Sequence, residues 1–463
     1  MYKKHKNIIN IIFGLILGMV VVLLLPDDFS MQGKVALGTV VLMIFWWVTR
    51  PVHLAVTALI PLLVNAFYSM IPMNDMLADY GSPVVLLILG ASILTSSWTL
   101  HGLDKRVALK SLTLIGMSVG KQTVVWFVLA VILSAFMPNM VVAAALCPIA
   151  YAMVKYSGEE DNSSTLYILL LAVVWGAGLG GFGTPMGGAM NLVAITNIEK
   201  YTGAEFFYGD WVIRALPYLV LLSAVTLGFL LLIKKDRKVF DGSKTFYFEQ
   251  LSALGRVKRA EWISLILLAA AVILAFARPL YAGILPGFKP PYVFLLLGVL
   301  SFFIKSGRDT YVMNWKYAVK NVNWGLIILF AGGLSAGGLI VDTGIAAVLA
   351  GLISGNSSLL IFIVVIVALG MFLANTSSNT AACAVLIPIV ISAVSGAGNN
   401  PLPYVFLTVA ACNSAFALPT SIRAVTVGYK MDTKFMFKKG IGVIAAIFTV
   451  LCAVGYIVIE AVG

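Results

Sequence analysis

Between Leu359 and Val394 the chain is almost continuously apolar, yet at its centre stands the polar run Thr376-Ser-Ser-Asn-Thr380. An apolar stretch of that length belongs in a lipid bilayer, where each unsatisfied polar group costs several kcal/mol. Its hydroxyls and amides must therefore either bind neighbouring helices or line a polar cavity. A weaker copy stands in the first half, Leu133-Ser-Ala-Phe-Met-Pro-Asn-Met140. Asn139 and Asn379 lie 240 residues apart, as do Pro148 and Pro388. A second interruption follows each copy, Gly180-Gly-Phe-Gly-Thr-Pro-Met-Gly-Gly188 and then Ser414-Ala-Phe-Ala-Leu-Pro-Thr-Ser-Ile-Arg423. Phe182 and Pro185 align with Phe416 and Pro419 at a common offset of 234 residues. Two independently kinked helices packing through small residues would also use Gly and Ala here, but they would not repeat both features in the same order.

The rest of the chain agrees with a membrane setting. Of 463 residues, 61% are hydrophobic and 11% charged, with mean hydropathy +1.01, whereas soluble domains carry about 25% charged residues. The net charge of +12 reads as basic cytoplasmic loops rather than as a nucleic-acid surface. Cys147, Cys383, Cys412 and Cys452 sit in apolar runs without metal-ligand spacing, and read as small core residues. His5, His53 and His101 are scattered near segment ends without a partner cluster, so metal or histidine catalysis has little support. No cofactor is expected.

Candidate spans run over 8–25, 34–49, 52–70, 83–100, 165–197, 212–233, 261–277, 291–304, 323–341, 402–428 and 440–459. The stretches 123–153 and 359–394 are broken, the first at Pro138-Asn139 and again at Pro148. Treating these two as re-entrant hairpins gives about eleven crossings, with a cytoplasmic N-terminus and an exterior C-terminus. The cytoplasmic side then receives 25 of the 31 basic residues. Asp27, Asp28, Asp75, Asp79, Glu205, Asp210 and Glu460 fall outside. Reading either hairpin as a simple crossing would put the next basic loops outside as well. The expected fold is thus an all-α polytopic membrane protein of two inverted repeats, each holding a re-entrant hairpin and an interrupted helix. The first repeat covers 1–233 and the second 260–463, joined by a basic cytoplasmic connector, 234–259. Inverted repeats are the usual plan of a secondary transporter with its site at the midplane.

Helix breaks at Gly183–Gly188 and Pro419–Ser421 would expose backbone N–H groups at the start of new half-helices, where an anion is favoured. Thr184 and Gly187 in the first break, and Thr420 and Ser421 in the second, are therefore candidate ligands. Asn139 and Ser377, Ser378, Asn379 and Thr380 at the tips add amide and hydroxyl donors. Arg423 is the one basic residue deep in an apolar span, and its guanidinium fork matches a carboxylate. Its bland reading is a side chain that snorkels to the surface. Mid-span Asp and Glu are nearly absent, which disfavours a cation antiporter and favours an anion carrier.

These residues resemble the divalent anion/sodium symporter family, the INDY-type carriers of di- and tricarboxylates and sulfate. The family pattern is a Ser-Asn-Thr tip in each repeat followed by a Pro-containing break. Ser378-Asn379-Thr380 and Pro388 match fully; in the first half Asn139 and Pro148 match, while Pro138 and Met140 replace the Ser and Thr. Gly183-Thr184-Pro185 also fits, but the second break carries Ser421-Ile422-Arg423 where members often have a Thr-Pro-Pro-Asn-like run. The resemblance implies a homodimer in the cell membrane, a scaffold domain, and a transport domain that moves like an elevator. It also implies that Asn139, Asn379 and Thr380 hold substrate carboxylates, with backbone near Gly183 and Pro419 completing cation sites in sodium-coupled members.

The departures bear on coupling. Sodium ligands are expected at Ser134, Asn139, Gly183 and Asn379, but the first tip has lost the hydroxyls of its Ser and Thr, and Ala374 stands where the second repeat would match Ser134. Arg423 adds a permanent charge that cannot dissociate, so an empty carrier would keep an unpaired charge that is costly to move. Exchange of C4-type dicarboxylates (succinate, malate, fumarate), with 2-oxoglutarate a further candidate, is the favoured expectation. Sodium-coupled dicarboxylate symport and sulfate transport stay open. A channel is disfavoured by paired occluding hairpins, and an intramembrane enzyme by the lack of any Asp pair, His-Glu metal motif or Ser-His dyad.

Overall fold

A computed structural model of the protein describes residues 2–26, 29–114, 116–345 and 358–462. Asp27 and Asp28, expected on the exterior, lie outside the described residues. Helices dominate because apolar runs in lipid must satisfy their own backbone groups, and polar caps mark where they begin. Ser30, Ser163, Ser358 and Ser378 each accept a hydrogen bond from a first-turn N–H. Among the described residues there are ten helices long and apolar enough to cross a membrane, several shorter apolar helices, and no strand beyond two isolated bridges. The fold is all-α and polytopic, as the sequence indicates.

Each half contains a helix–turn–helix unit, Val119–Ser134 with Asn139–Tyr156, and Leu359–Thr376 with Asn379–Gly396. Each is followed by an interrupted helix. Ser164–Gly180 leads through 181–188 into Ala189–Thr202, and Leu402–Cys412 leads through 413–420 into Ser421–Arg423 and Ala424–Val427. The helix Ser164–Gly180 lies along Val119–Ser134. A methyl on Gly176 would come 2.6 Å from the Phe127 carbonyl oxygen, and one on Gly180 2.2 Å from that of Val131. Bare backbone at both positions brings the break beside the first turn. Asn379–Gly396 packs against Trp324–Asp342, Leu402–Cys412 and also Ala189–Thr202 of the first half. The halves therefore share one core.

Three details differ from the sequence reading. The span expected over 52–70 is two pieces, Leu54–Thr57 and Ile60–Tyr68, because Pro61 enters the second piece at its first turn, where its missing N–H is tolerated. Pro148 does not break its helix, nor does Pro388; Asn139–Tyr156 and Asn379–Gly396 run through them. Each proline removes one hydrogen bond, to the carbonyl of Ala144 or Ala384 four residues back, from a helix of 18 residues that continues past it. Finally, the second break is followed by one short turn rather than a half-helix, since the chain turns again at Lys430, which has a positive φ. The macrodipole expected there has too few residues to build up.

The basic connector carries a helix, Ser243–Ala253, packed on the amphipathic Leu103–Thr113. The Tyr247 hydroxyl, buried, donates to Gln122 Oε1 at 2.8 Å. Arg106 meets Glu261 at 2.5 Å and also donates to the Leu254 and Gly255 carbonyls. This side of the molecule is thereby tied to the helix Arg259–Phe276.

Candidate functional site

A cavity of about 390 Å³ lies where the two helix turns and the two breaks meet, within the usual size range for small-molecule sites. Its wall includes Asn139 from the first tip and Ser378, Asn379 and Thr380 from the second. Gly187 and Gly188 of the first break and Ser421 of the second complete this side. His53, Ser92 and Asn323 come from other helices. Among the described residues the wall holds no Asp, Glu, Lys or Arg side chain.

The first tip is held by the break that follows it. Ser134 Oγ donates to Asn139 Oδ1 at 2.9 Å, and Asn139 Nδ2 donates to the Gly178 carbonyl at 3.5 Å. The Thr184 hydroxyl donates to the Ala135 carbonyl and accepts from Gly187 N–H at 3.3 Å. Asn191 Nδ2 then donates to the carbonyls of Gly181 and Thr184, both at 2.7 Å. These bonds serve carbonyls that the helix end leaves without an intrahelical partner. At Gly187 a side-chain methyl would sit 2.8 Å from the Gly181 carbonyl oxygen, 2.9 Å from that of Ser134 and 3.1 Å from that of Ala135. Three carbonyl oxygens thus converge on the bare backbone of Gly187, which leaves no room for a side chain, and oxygen ligands suit a hard monovalent cation. Gly183 takes no part in this cradle; a methyl there would meet Leu219, the Gly180 carbonyl and Ala135 Cβ.

The second tip repeats the plan with different groups. Asn379 Nδ2 donates to Asn413 Oδ1 at 2.9 Å, and Asn413 Nδ2 reaches the Leu179 carbonyl of the first half at 3.3 Å. Thr420 Oγ1 donates to the Asn375 carbonyl at 3.1 Å. Ala135 and Asn375 are 240 residues apart, so the same tip carbonyl in each half accepts from a threonine of the following break. Arg423 takes the part that Asn191 plays in the first half. Its Nη1 donates to the Ala415 carbonyl at 2.5 Å and its Nε to that of Leu418 at 2.7 Å. Ala415 and Leu418 stand 234 residues after Gly181 and Thr184, the two acceptors of Asn191. The remaining Nη2 donates to Thr420 Oγ1 at 2.8 Å.

The structure brings Asn139, Gly187, Ser378, Asn379, Thr380 and Ser421 onto one wall. Thr184, Thr420 and Arg423 lie behind that wall as struts of the two breaks, and Arg423 is only 3% exposed. Ser377 is buried too; its carbonyl accepts from Arg50, whose Nη2 also reaches the Thr376 carbonyl at 3.4 Å. Of the oxygen ligands expected for sodium, Ser134 and Asn139 adjoin the first cradle, and Asn379 lies on the cavity wall. Arg50, His53, Asn191, Asn323 and Asn413 escaped sequence reasoning. For the two mid-span asparagines a signal existed, since an amide inside an apolar run needs the same explanation as the tips.

The site offers neutral donors of the kind that hold an anion, and among the described residues of its wall no nucleophile is hydrogen-bonded to a base. The chain is 28% identical to the sodium-dependent dicarboxylate transporter SdcS of Staphylococcus saprophyticus, over 99% of this chain and 94% of that protein. It is 27% identical to SdcS of Staphylococcus aureus, over 97% of this chain and 92% of that protein. Its fold is similar to that of the YdaH transporter of Alcanivorax borkumensis, with TM-score 0.54 at 12% identity over 82% of this chain and 87% of that one. Residues 44–411, which hold both tips and the first break, match the family described as CitMHS, citrate transporter. The chain therefore belongs to this citrate transporter family, of the divalent-anion/sodium-symporter type, whose members are transporters and not enzymes.

Proposed function

We propose that the protein is a secondary transporter of C4-type dicarboxylates such as succinate, malate and fumarate, working as an anion exchanger in the cell membrane. The observation that carries this reading is the convergence of both tips and both breaks on one cavity of about 390 Å³ whose wall, among the described residues, holds no Asp, Glu, Lys or Arg. Asn139, Asn379, Ser378 and Thr380 are the groups we assign to the substrate carboxylates. In this reading the turns are tips of re-entrant hairpins in two inverted repeats, 1–233 and 260–463. They belong to a transport domain that moves as an elevator against a scaffold, in a homodimer. The N-terminus is cytoplasmic and the C-terminus exterior.

Exchange is favoured by Arg423, whose guanidinium fills the carbonyls of the second break. It is permanently charged, so the empty transport domain would carry that charge uncovered through the barrier, whereas a bound dicarboxylate would offset it and leave one carboxylate uncovered. A second reading, sodium symport, is favoured by the carbonyl cradle at Gly187 and by the sodium dependence named for the staphylococcal relatives. Proteoliposomes loaded with or without internal succinate, in sodium or choline medium, separate the two. Exchange requires internal substrate and ignores sodium; strong sodium-driven uptake into empty vesicles selects symport. Asn379→Ala should abolish either flux, since it removes the amide shared by cavity wall and Asn413. Wild-type flux in that variant would sink the assignment of the tips.

A further inference from the structure

His53 is the one side chain on the cavity wall, among the described residues, that can carry a positive charge. It stands at the start of the short helix Leu54–Thr57, and its Nδ1 accepts a hydrogen bond from Ala55 N–H at 3.3 Å. A ring nitrogen that accepts is unprotonated, so the proton of the neutral ring sits on Nε2. Nε2 has no protein partner among the described residues, and the residue is exposed to the cavity. The ring lies against bare backbone across from it. A methyl on Gly325 would come 2.9 Å from His53 Cε1 and 3.8 Å from Nε2. Neighbouring Asn323 spends its Oδ1 capping the helix Trp324–Asp342, where it accepts from Leu326 N–H at 3.0 Å. A helix cap alone would explain only Nδ1, and Ser or Asn would serve as well for a single turn. The second nitrogen, held in a fixed tautomer on the wall of the cavity that the tips also line, is left over by that explanation.

We infer that His53 is a substrate-contacting residue whose Nε2–H donates to a carboxylate of the bound dicarboxylate. The donor comes from the segment packed on Trp324–Asp342 and Met31–Thr49, so it adds a contact from outside the two tips. Gly325 is then a positioning residue, because its missing side chain sets where the ring can lie. The inference rests on the dicarboxylate reading above.

The test is radiolabelled succinate exchange by the full chain in proteoliposomes, with KM and Vmax measured separately. A hydrogen bond to a charged group corresponds to at least about tenfold in affinity. His53→Ala should therefore raise KM about tenfold with Vmax little changed. His53→Gln, whose side-chain N–H₂ reaches the same region, should recover most of the loss. Gly325→Ala should raise KM in the wild-type background and add nothing to His53→Ala, because the ring it displaces is already gone. It removes no polar group, so it keeps the test open if His53→Ala folds poorly. Wild-type succinate exchange with unchanged KM in His53→Ala overturns the inference alone, as does full additivity with Gly325→Ala. No succinate flux by the wild type overturns the dicarboxylate reading and the inference with it.

Discussion

Replacing Arg423 by alanine removes a buried cation and three hydrogen bonds in one step, leaving the Ala415 and Leu418 carbonyls and the Thr420 hydroxyl short of a donor. Each of the three acceptors left dry costs about 1–3 kcal/mol, or about 6 kcal/mol together at the middle of that range. Against this stands the desolvation of the guanidinium, several kcal/mol that the variant recovers. The balance is a loss of about 2–4 kcal/mol, read as a thermal-unfolding midpoint several degrees lower in detergent. The freed carbonyls, with the Thr420 oxygen, form an oxygen set like the cradle at Gly187. Sodium chloride, compared with choline chloride, should therefore raise the midpoint of Arg423→Ala by more than it raises that of the wild type. In proteoliposomes the same variant should lose exchange or acquire a sodium requirement. Arg423→Lys keeps the charge without the planar fork and should fall between. A variant with wild-type midpoint, wild-type exchange and no response to sodium beyond that of the wild type would show that the guanidinium replaces no cation and braces no break.

Two further perturbations follow from close contacts. A methyl on Gly181 would lie 2.4 Å from Asn139 Oδ1, the end of a movable side chain, whereas one on Gly180 would lie 2.2 Å from the Val131 backbone. Gly181→Ala should fold normally and lose succinate flux, while Gly180→Ala should lower yield and midpoint together, as size-exclusion and thermal-shift profiles would register. Arg278, 1% exposed, pairs with Glu205 at 2.8 Å and also donates to the Leu285 and Pro286 carbonyls. Arg278→Ala should cost about 3 kcal/mol in a thermal-shift assay, since it leaves a half-buried carboxylate and two carbonyls unpaired.

The broken helices were legible because lipid admits few explanations for Ser-Ser-Asn-Thr or Gly-Thr-Pro inside an apolar run. The repeated spacing then paired each tip with a break, and the structure joins the same pairs through Thr184 to Ala135 and Thr420 to Asn375. Arg423 was legible as a buried charge but not as a strut, because its main acceptors are backbone carbonyls, which leave no mark in sequence. His53 was set aside for want of neighbouring ligands. Its neighbours, Gly325 and the tips, are distant in sequence, and only packing brings them together. Proline misled in the opposite direction. Pro148 and Pro388 look like breaks, yet a single lost hydrogen bond is absorbed within a helix of 18 residues.

The two halves solve one problem in two ways, and the difference bears on coupling. A helix interrupted in the membrane leaves carbonyls that must find donors. In the first half the neutral amide of Asn191 supplies them, so the oxygens around Gly187 keep their negative partial charge and can attract a cation. In the second half the guanidinium of Arg423 supplies them and brings its charge permanently. In the proposed reading, a dianion seated between the tips would face one fixed charge and one optional one. With the cradle empty, a substrate of charge −2 is only partly compensated by Arg423. With a cation bound there, compensation would be closer and the loaded domain would move with less uncovered charge. In the proposed reading the carrier would run as an exchanger without sodium, and any sodium effect would arise at the Asn139 side. Adding a cation to the Asn379 side would first require removing the arginine.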